Sequence, residues 1–166
     1  MAAHKVDSTK SPQFKSLVAR WKKDHRHIQD DLDKLFEAIG KDLHAASAWR
    51  VQAGPNVEVY KYKQNSSDIR RGARYGWRVV ALFDKRTATL CPILIWPKTE
   101  WGDADNDLYS SAIEEVLGVL GYCTNGGCDG SMKTTEPPQR SVDGLHVKLV
   151  CDKCTCSIWR DQPNEG

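Results

Sequence analysis

Hydrophobic residues follow a helical period near the start of the chain. Ser11-Pro12 supplies an N-cap followed by proline at the first helical position, which predicts a helix start. The apolar residues behind it keep helical spacing in two runs: Phe14, Leu17, Val18 and Trp21, then Ile28, Leu32, Leu35, Phe36, Ile39 and Leu43. Acids early in the second run and Lys41 late in it suit the helix dipole. The pattern predicts a helical hairpin, preceded either by a short strand around His4–Val6 or by a mobile end.

From Val57 onward the apolar period changes from helical to alternating, and Gly54-Pro55-Asn56 marks the change. Three strands are predicted, over Val57–Lys63, Gly76–Phe83 and Ala88–Trp96. A last helix is predicted from Ile113, Val116, Leu117 and Leu120, and Gly121 ends it. We therefore expect an α+β fold in which the helical hairpin packs on an antiparallel β-sheet and a final helix follows.

After Gly121 the apolar periodicity fades and glycines, prolines and cysteines take its place. This change predicts two domains, residues 1–121 and a small cysteine-rich unit over residues 122–166. Two pairs, Cys123-x4-Cys128 and Cys151-x2-Cys154, are separated by 22 residues, and a strand over Leu145–Val150 leads into the second pair. Four thiolates at this spacing suit tetrahedral zinc, which predicts a structural zinc site in a zinc-ribbon-like tail.

Two other residues could take part in the metal site, and one alternative needs no metal. Cys156 could replace Cys154 as a ligand, and His146 is a further candidate. The alternative is a loose tail with reduced cysteines or disulfides. Cys91, within an apolar strand, is expected to be a small buried hydrophobe.

The charges are unevenly distributed although the formal net charge is only +2. Eight Lys or Arg and two acids lie between Lys61 and Arg86, whereas six acids and no base lie between Glu100 and Glu115. Such asymmetry is typical of a protein that presents a positive face to a polyanion. The longest apolar run, Leu90–Trp96, is too short to span a bilayer. With no visible secretory signal, we expect a cytoplasmic protein without membrane contact.

The basic residues of the predicted sheet fall on one face. Lys61 and Lys63 are two residues apart on one strand, and Arg78 is on the following strand, on the side opposite Trp77. If Trp77 packs against the helices, the three cations face outward and can bind a phosphodiester. The alternative is a solvated face whose charges serve solubility.

Four segments taken together resemble the RelE/ParE toxin superfamily in their order and spacing, and the likeness covers roughly residues 4–121. They are Tyr60–Lys63, Gly76–Val80, Ile95–Glu100 and Tyr109–Ile113. The resemblance implies a helical hairpin, an antiparallel sheet and a final helix in this order. It also implies a toxin that cuts mRNA in the ribosomal A site, without a metal, by attack of the RNA 2′-hydroxyl. The partners it implies are mRNA, the ribosome and a protein antitoxin.

The resemblance also implies roles for individual residues. Lys61 and Lys63 look like the lysines that bind the phosphate and help with proton transfer, and Arg78 looks like the transition-state arginine. Tyr109 looks like the tyrosine that orients the substrate. Thr99 stands where the RelE pattern has an arginine, so Lys98 would replace that arginine as a point charge.

Three arginines in the loop between the first two strands add positive charge and are expected either to bind RNA or to be solvated: Arg70, Arg71 and Arg74. Two other functions compete with the ribonuclease. One is a ParE-like inhibitor of DNA gyrase. The other is a non-catalytic RNA-binding adaptor in which the tail and the basic sheet form one binding surface.

Overall fold

The computed structural model describes residues 4–45, 48–69, 72, 74–101, 106–124, 128–141 and 144–161. The chain divides into two compact units, Met1–Val116 and Leu117–Gly166. We refer to them as the N-terminal unit and the C-terminal unit.

The N-terminal unit is built on a five-stranded sheet. Its strands are β1 (Lys5–Val6), β2 (Trp49–Ala53), β3 (Val57–Gln64), β4 (Trp77–Asp84) and β5 (Thr89–Pro97). The helices are α1 (Pro12–Trp21), α2 (Ile28–Lys41), α3 (Lys98–Trp101) and α4 (Asn106–Leu120), the last of which runs into the C-terminal unit. The strand order is β1-β5-β4-β3-β2, with β1 parallel to β5 and the remaining pairs antiparallel. The predicted α+β class is confirmed.

Local sequence signals account for the two N-terminal helices. The Ser11 hydroxyl accepts a hydrogen bond from the backbone N–H of Phe14 at 3.2 Å, and Pro12 opens α1. The apolar side of α1 is buried, and the indole Nε1 of Trp21 donates to the carbonyl of Ile95 in β5 at 3.0 Å. The four buried apolar residues of α2 are Ile28, Leu32, Leu35 and Ile39. These contacts place the predicted helical hairpin beside the sheet.

Both faces of the sheet are buried, which the alternating pattern of β3 and β4 did not predict. On one face Trp77 contacts His25 with ring centroids 4.9 Å apart, and the Tyr62 hydroxyl donates to the carbonyl of Leu43 at 3.0 Å. On the other face Val59 and Val80 are fully buried as well. Strand β2 was also missed, and the short first strand exists as β1.

The turn between β4 and β5 has a clear cause in Asp84. Its buried carboxylate accepts hydrogen bonds from the backbone N–H of Arg86 at 3.0 Å and from the Thr87 hydroxyl at 2.8 Å. Local bonds of this kind let Asp organise a turn through its own side chain. Ala88 completes the turn with a positive φ of 51°.

The C-terminal unit holds a second sheet around a small core. Its strands are β6 (Met132–Thr134), β7 (Gln139–Ser141), β8 (Gly144–Cys151) and β9 (Ser157–Asp161). Strand β8 pairs antiparallel with each of the other three, and it contains the predicted strand over 145–150. The buried residues of the core cluster are Cys123, Met132 and Cys151. So small an apolar core contributes little free energy of folding.

Among the residues that the structure describes, no helix has the length and apolar character needed to cross a membrane.

Candidate basic site and cysteine cluster

The pairing of β3 with β4 places the three predicted cations on one face of the sheet. Lys63 lies directly opposite Arg78, and Lys61 lies opposite Val80. Opposed residues of antiparallel strands project to the same side, as do residues two apart on one strand. The prediction that Lys61, Lys63 and Arg78 lie on one face of the sheet is therefore confirmed.

The expectation that this face is open is wrong for two of the three cations. Arg78 is 1% exposed and Lys61 is 7% exposed, whereas Lys63 is exposed. Their neighbours on the same face include Val59 and Val80, which are fully buried. The cations thus lie at the end of an apolar face and not on a solvated one.

The buried cations have defined contacts. The Arg78 guanidinium donates through Nη2 to the carbonyl of Arg74 at 2.8 Å and through Nη1 to the carbonyl of Trp77 at 3.3 Å. The Lys61 ammonium lies 5.5 Å from the centre of the Trp96 ring, a cation–π distance. Arg78 therefore ties the end of the loop that precedes β4 to the strand itself.

Gly76 permits the close approach of this loop to β3. A Cβ at Gly76 would overlap the carbonyl oxygen of Gln64 and the backbone nitrogen of Ser66. The carbonyl of Gly76 also accepts the backbone N–H of Lys98 at 3.0 Å. The first residue of α3 is therefore held next to the segment that precedes Arg78.

The structure describes only some of the remaining predicted site residues. The half-buried Lys98 opens α3, and exposed Arg74 places its guanidinium 5.9 Å from the centre of the Tyr75 ring. Tyr109 lies in α4, but its side chain is outside the described residues, as are Arg70 and Arg71.

A polar cluster that the sequence did not predict fixes the start of the same loop to α2. Buried Asp31 accepts hydrogen bonds from the indole Nε1 of Trp77 at 3.0 Å, the backbone N–H of Ser67 at 2.9 Å and the Ser67 hydroxyl. Asp68 accepts from the backbone N–H of His27 at 3.0 Å and pairs with its Nδ1 at 2.7 Å. We call Asp31, Asp68 and these partners the loop anchor. The sequence contains one signal for this cluster. Asp31 follows Ile28 by three positions and therefore lies on the apolar side of α2, where a charged residue is unexpected.

The loop anchor predicts a pH-dependent contribution to stability. Partial burial alone would raise the pKa of Asp68, but the side-chain and backbone hydrogen bonds with His27 hold it below its ordinary value. A depressed folded-state pKa stabilises the fold above the unfolded-state value of about 4, and this stabilisation is lost as pH falls through the folded-state pKa. Asp68→Asn should lower the urea midpoint at about pH 6 and have a much smaller effect at about pH 2. An equal difference at both pH values would contradict a role for the carboxylate charge.

The cysteines of the C-terminal unit converge on one point. The sulfur atoms of four of them lie within 4.8 Å of one another: Cys123, Cys151, Cys154 and Cys156. The predicted set contained Cys128 in place of Cys156. Cys128 lies beside this group, with its Sγ 3.7 Å from that of Cys151. The sequence indicates Cys156 as a possible replacement for Cys154. In the structure both cysteines belong to the same group.

Backbone N–H groups point to two of the sulfur atoms in and beside the cluster. The N–H of Gly130 points to the Cys128 sulfur at 3.4 Å, and the N–H of Lys153 points to the Cys151 sulfur at 3.4 Å. Such donors stabilise negative charge on sulfur. Gly130 is required here because a Cβ at this position would overlap the Cys151 sulfur. The group can bind a metal ion that accepts four thiolates, and His146 does not belong to it.

Cys91 has no part in the cluster. It is fully buried in β5, as predicted, and burial raises the pKa of its thiol to about 11. The thiol therefore stays protonated and acts as a small apolar side chain.

Comparisons with protein-family models, with curated proteins and with solved structures gave no match for this chain. The resemblance to the RelE/ParE superfamily, and the roles it implies, therefore stay predictions.

Proposed function

We propose that the N-terminal unit is a RelE-type toxin, a cytoplasmic endoribonuclease that cuts mRNA on the ribosome and is neutralised by a protein antitoxin. The observation that carries the proposal is the register that sets Lys63 opposite Arg78, with Lys61 on the same face. The order of helical hairpin, sheet and last helix is the order that the resemblance implies, and it supports the proposal.

The proposed reaction needs no metal. The RNA 2′-hydroxyl attacks the adjacent phosphorus and loses its proton, the bond to the 5′ oxygen breaks, and that oxygen gains a proton. A 2′,3′-cyclic phosphate and a 5′-hydroxyl end result, with no net change in protons. Lys63 and Lys61 bind the phosphate, and Arg78 stabilises the extra negative charge on the pentacoordinate phosphorus. Lys98, Tyr109 and the loop arginines Arg70, Arg71 and Arg74 contact the surrounding RNA.

Burial of Arg78 and of Lys61 sets a condition on this reaction, because neither cation is open to solvent in this structure. Because the Arg78 guanidinium donates to the carbonyl of Arg74, a phosphate reaches it only after residues 74–76 move. Exposed Lys63 makes the first contact with RNA. The proposed enzyme is therefore closed at Arg78 before substrate binds, and the ribosome-bound mRNA selects the open state.

Lys63→Ala tests the proposal with little effect on the fold, because the side chain is exposed. Wild-type protein should cut mRNA on translating ribosomes and leave 5′-hydroxyl ends, and the variant should cut at least about tenfold more slowly. Exposed Lys41 of α2 provides the matched control, and Lys41→Ala should cut like wild type. Intact mRNA with the wild-type protein would end the enzyme proposal, and loss of gyrase supercoiling in its presence would favour a ParE-like inhibitor instead.

A non-catalytic RNA-binding adaptor is the second candidate, and the burial of Arg78 and Lys61 favours it. In this case Lys63 contributes only to phosphate binding. RNA affinity should then fall in Lys63→Ala with a reduced salt dependence, and the wild-type protein should cut nothing.

For the C-terminal unit we propose a structural zinc ion. Cys123, Cys151 and Cys154 belong both to the predicted set and to the observed group, and the Cys128 sulfur lies 3.7 Å from that of Cys151. Zinc takes four thiolates, so either Cys128 or Cys156 completes the site. Metal analysis of the purified full chain should find one zinc ion per molecule.

A further inference from the structure

One face of the C-terminal sheet carries an exposed aromatic ring beside basic residues. Trp159 of β9 is 53% exposed, more than any other large hydrophobic side chain in the described ranges. Its cross-strand partner is Lys148 of β8, whose ammonium lies 5.9 Å from the centre of the indole ring. The register puts Lys133 of β6, His146 of β8 and the residue opposite His146, Asp161 of β9, on the same face. We call this set the Trp159 face.

The Trp159 face is separate from the core of its own unit. Met132, Leu149 and Ile158, which pack around the cysteine cluster, alternate with the residues of the Trp159 face along their strands. The indole therefore adds nothing to that core. The exposed indole surface is therefore free to gain hydrophobic free energy by burial against a ligand.

The composition of this face suits a nucleic acid better than a protein. A stable protein interface needs about 800 Å² of surface from each partner, whereas a single ring is enough to stack on one base. Lys148 is bonded to Glu136 at 3.4 Å and Lys133 to Asp152 at 3.2 Å. Both pairs lie at the surface, where such pairs contribute little, so phosphates can replace the carboxylates.

We propose that the Trp159 face binds single-stranded nucleic acid, with a base stacked on the Trp159 indole and the neighbouring phosphates contacted by Lys148 and Lys133. This function is separate from the cleavage proposed for the N-terminal unit. It holds whether or not the protein cuts mRNA, and it depends on the proposed zinc only for the folding of the unit.

The test is a binding titration of the zinc-loaded full chain, without ribosomes, against labelled oligouridine, oligothymidine and an RNA duplex. Trp159→Ala should weaken oligouridine binding by about tenfold without changing its salt dependence, because stacking releases no counterions. Lys148→Ala should instead reduce the slope of log affinity against log salt by about 0.7. Oligothymidine should behave like oligouridine if stacking dominates, and preference for oligouridine would assign the site to RNA.

Trp159→Phe is the matched control, since it keeps an aromatic ring and should retain most of the affinity. Zinc content equal to that of wild type shows that each variant is folded around its metal. The proposal is overturned if Trp159→Ala binds oligouridine as wild type does, or if Trp159→Phe loses as much affinity as Trp159→Ala. Equal sensitivity of duplex binding to Trp159→Ala would also overturn it, because a paired base cannot stack on the ring.

Discussion

Replacement of Cys151 by serine is expected to abolish metal binding and to unfold the C-terminal unit. Cys151 is buried, belongs to both possible ligand sets and receives an N–H···S bond from Lys153. Structural zinc contributes about 10 kcal/mol or more of apparent binding free energy, far more than the small core around Met132 can supply. Zinc content should fall from one per chain to none, and strands β6, β8 and β9 should lose amide protection and become sensitive to protease.

The fifth cysteine provides the control for this prediction. If either Cys156 of the observed group or the neighbouring Cys128 completes the proposed zinc site, Cys128→Ser and Cys156→Ser should each retain zinc and the folded sheet. The double variant should lose both. If Cys156→Ser alone released the metal, Cys128 would not be a ligand. If Cys151→Ser kept a protected β8, the unit would fold without metal.

Replacement of Arg78 has the second large expected effect, a loss of mRNA cleavage by a factor of about 100 to 1000. The conservative variant is Arg78→Lys, which keeps the charge but cannot donate to the carbonyls of Arg74 and Trp77 together. Cleavage should be measured on ribosomes programmed with one mRNA, by mapping the 5′-hydroxyl ends, with urea unfolding of the same samples in parallel.

The unfolding measurement separates a catalytic from a structural role of Arg78. Arg78→Ala should lower the free energy of unfolding by about 2–4 kcal/mol, because it empties a buried site and leaves two carbonyls without their donor. Arg86→Ala, in the exposed turn after β4, should change neither property. A stable Arg78→Lys protein that cuts mRNA as fast as wild type would remove Arg78 from the mechanism.

The helices and main strands could be predicted because each has a strong local signal. Ser11-Pro12 begins α1, the apolar residues of α2 keep helical spacing, and Gly121, with a φ of 77°, ends α4. Strand β2 was missed because five residues are too few to establish an alternation, and its register with β3 is itself broken between Arg50 and Gln52.

The burial of Arg78 was missed for a different reason. The alternation of Trp77, Val79, Ala81 and Phe83 predicts a single buried face for β4, opposite Arg78. Val80 and Leu82, on the side of Arg78, and the apolar run Leu90–Trp96 of β5 were signs that the sheet is covered on both faces. The periodicity of a single strand shows which residues share a face. It does not show whether other parts of the protein cover that face, because this depends on tertiary packing.

The metal ligands were predictable in part. Paired cysteines at short spacing identified the region, and Cys123, Cys151 and Cys154 belong to both the predicted set and the observed group. The choice between Cys128 and Cys156 depends on how the chain turns after β8, where Thr155 has a positive φ of 60°. The spacing of the cysteines along the sequence does not predict that turn.

The parallel pairing of β1 with β5 gives the sheet a particular order of assembly during synthesis. Lys5 pairs with Thr89. Of the five strands of this sheet, β1 therefore leaves the ribosome first, but it can pair only after β5 has emerged. At about 5–20 residues per second, that interval is roughly 4–17 s. Strands β3, β4 and β5 are neighbours in sequence and can pair as each emerges, whereas β1 must close a loop that contains both N-terminal helices. The first strand to be made is therefore the last to join, and the edge of β5 stays open in the nascent chain until it does.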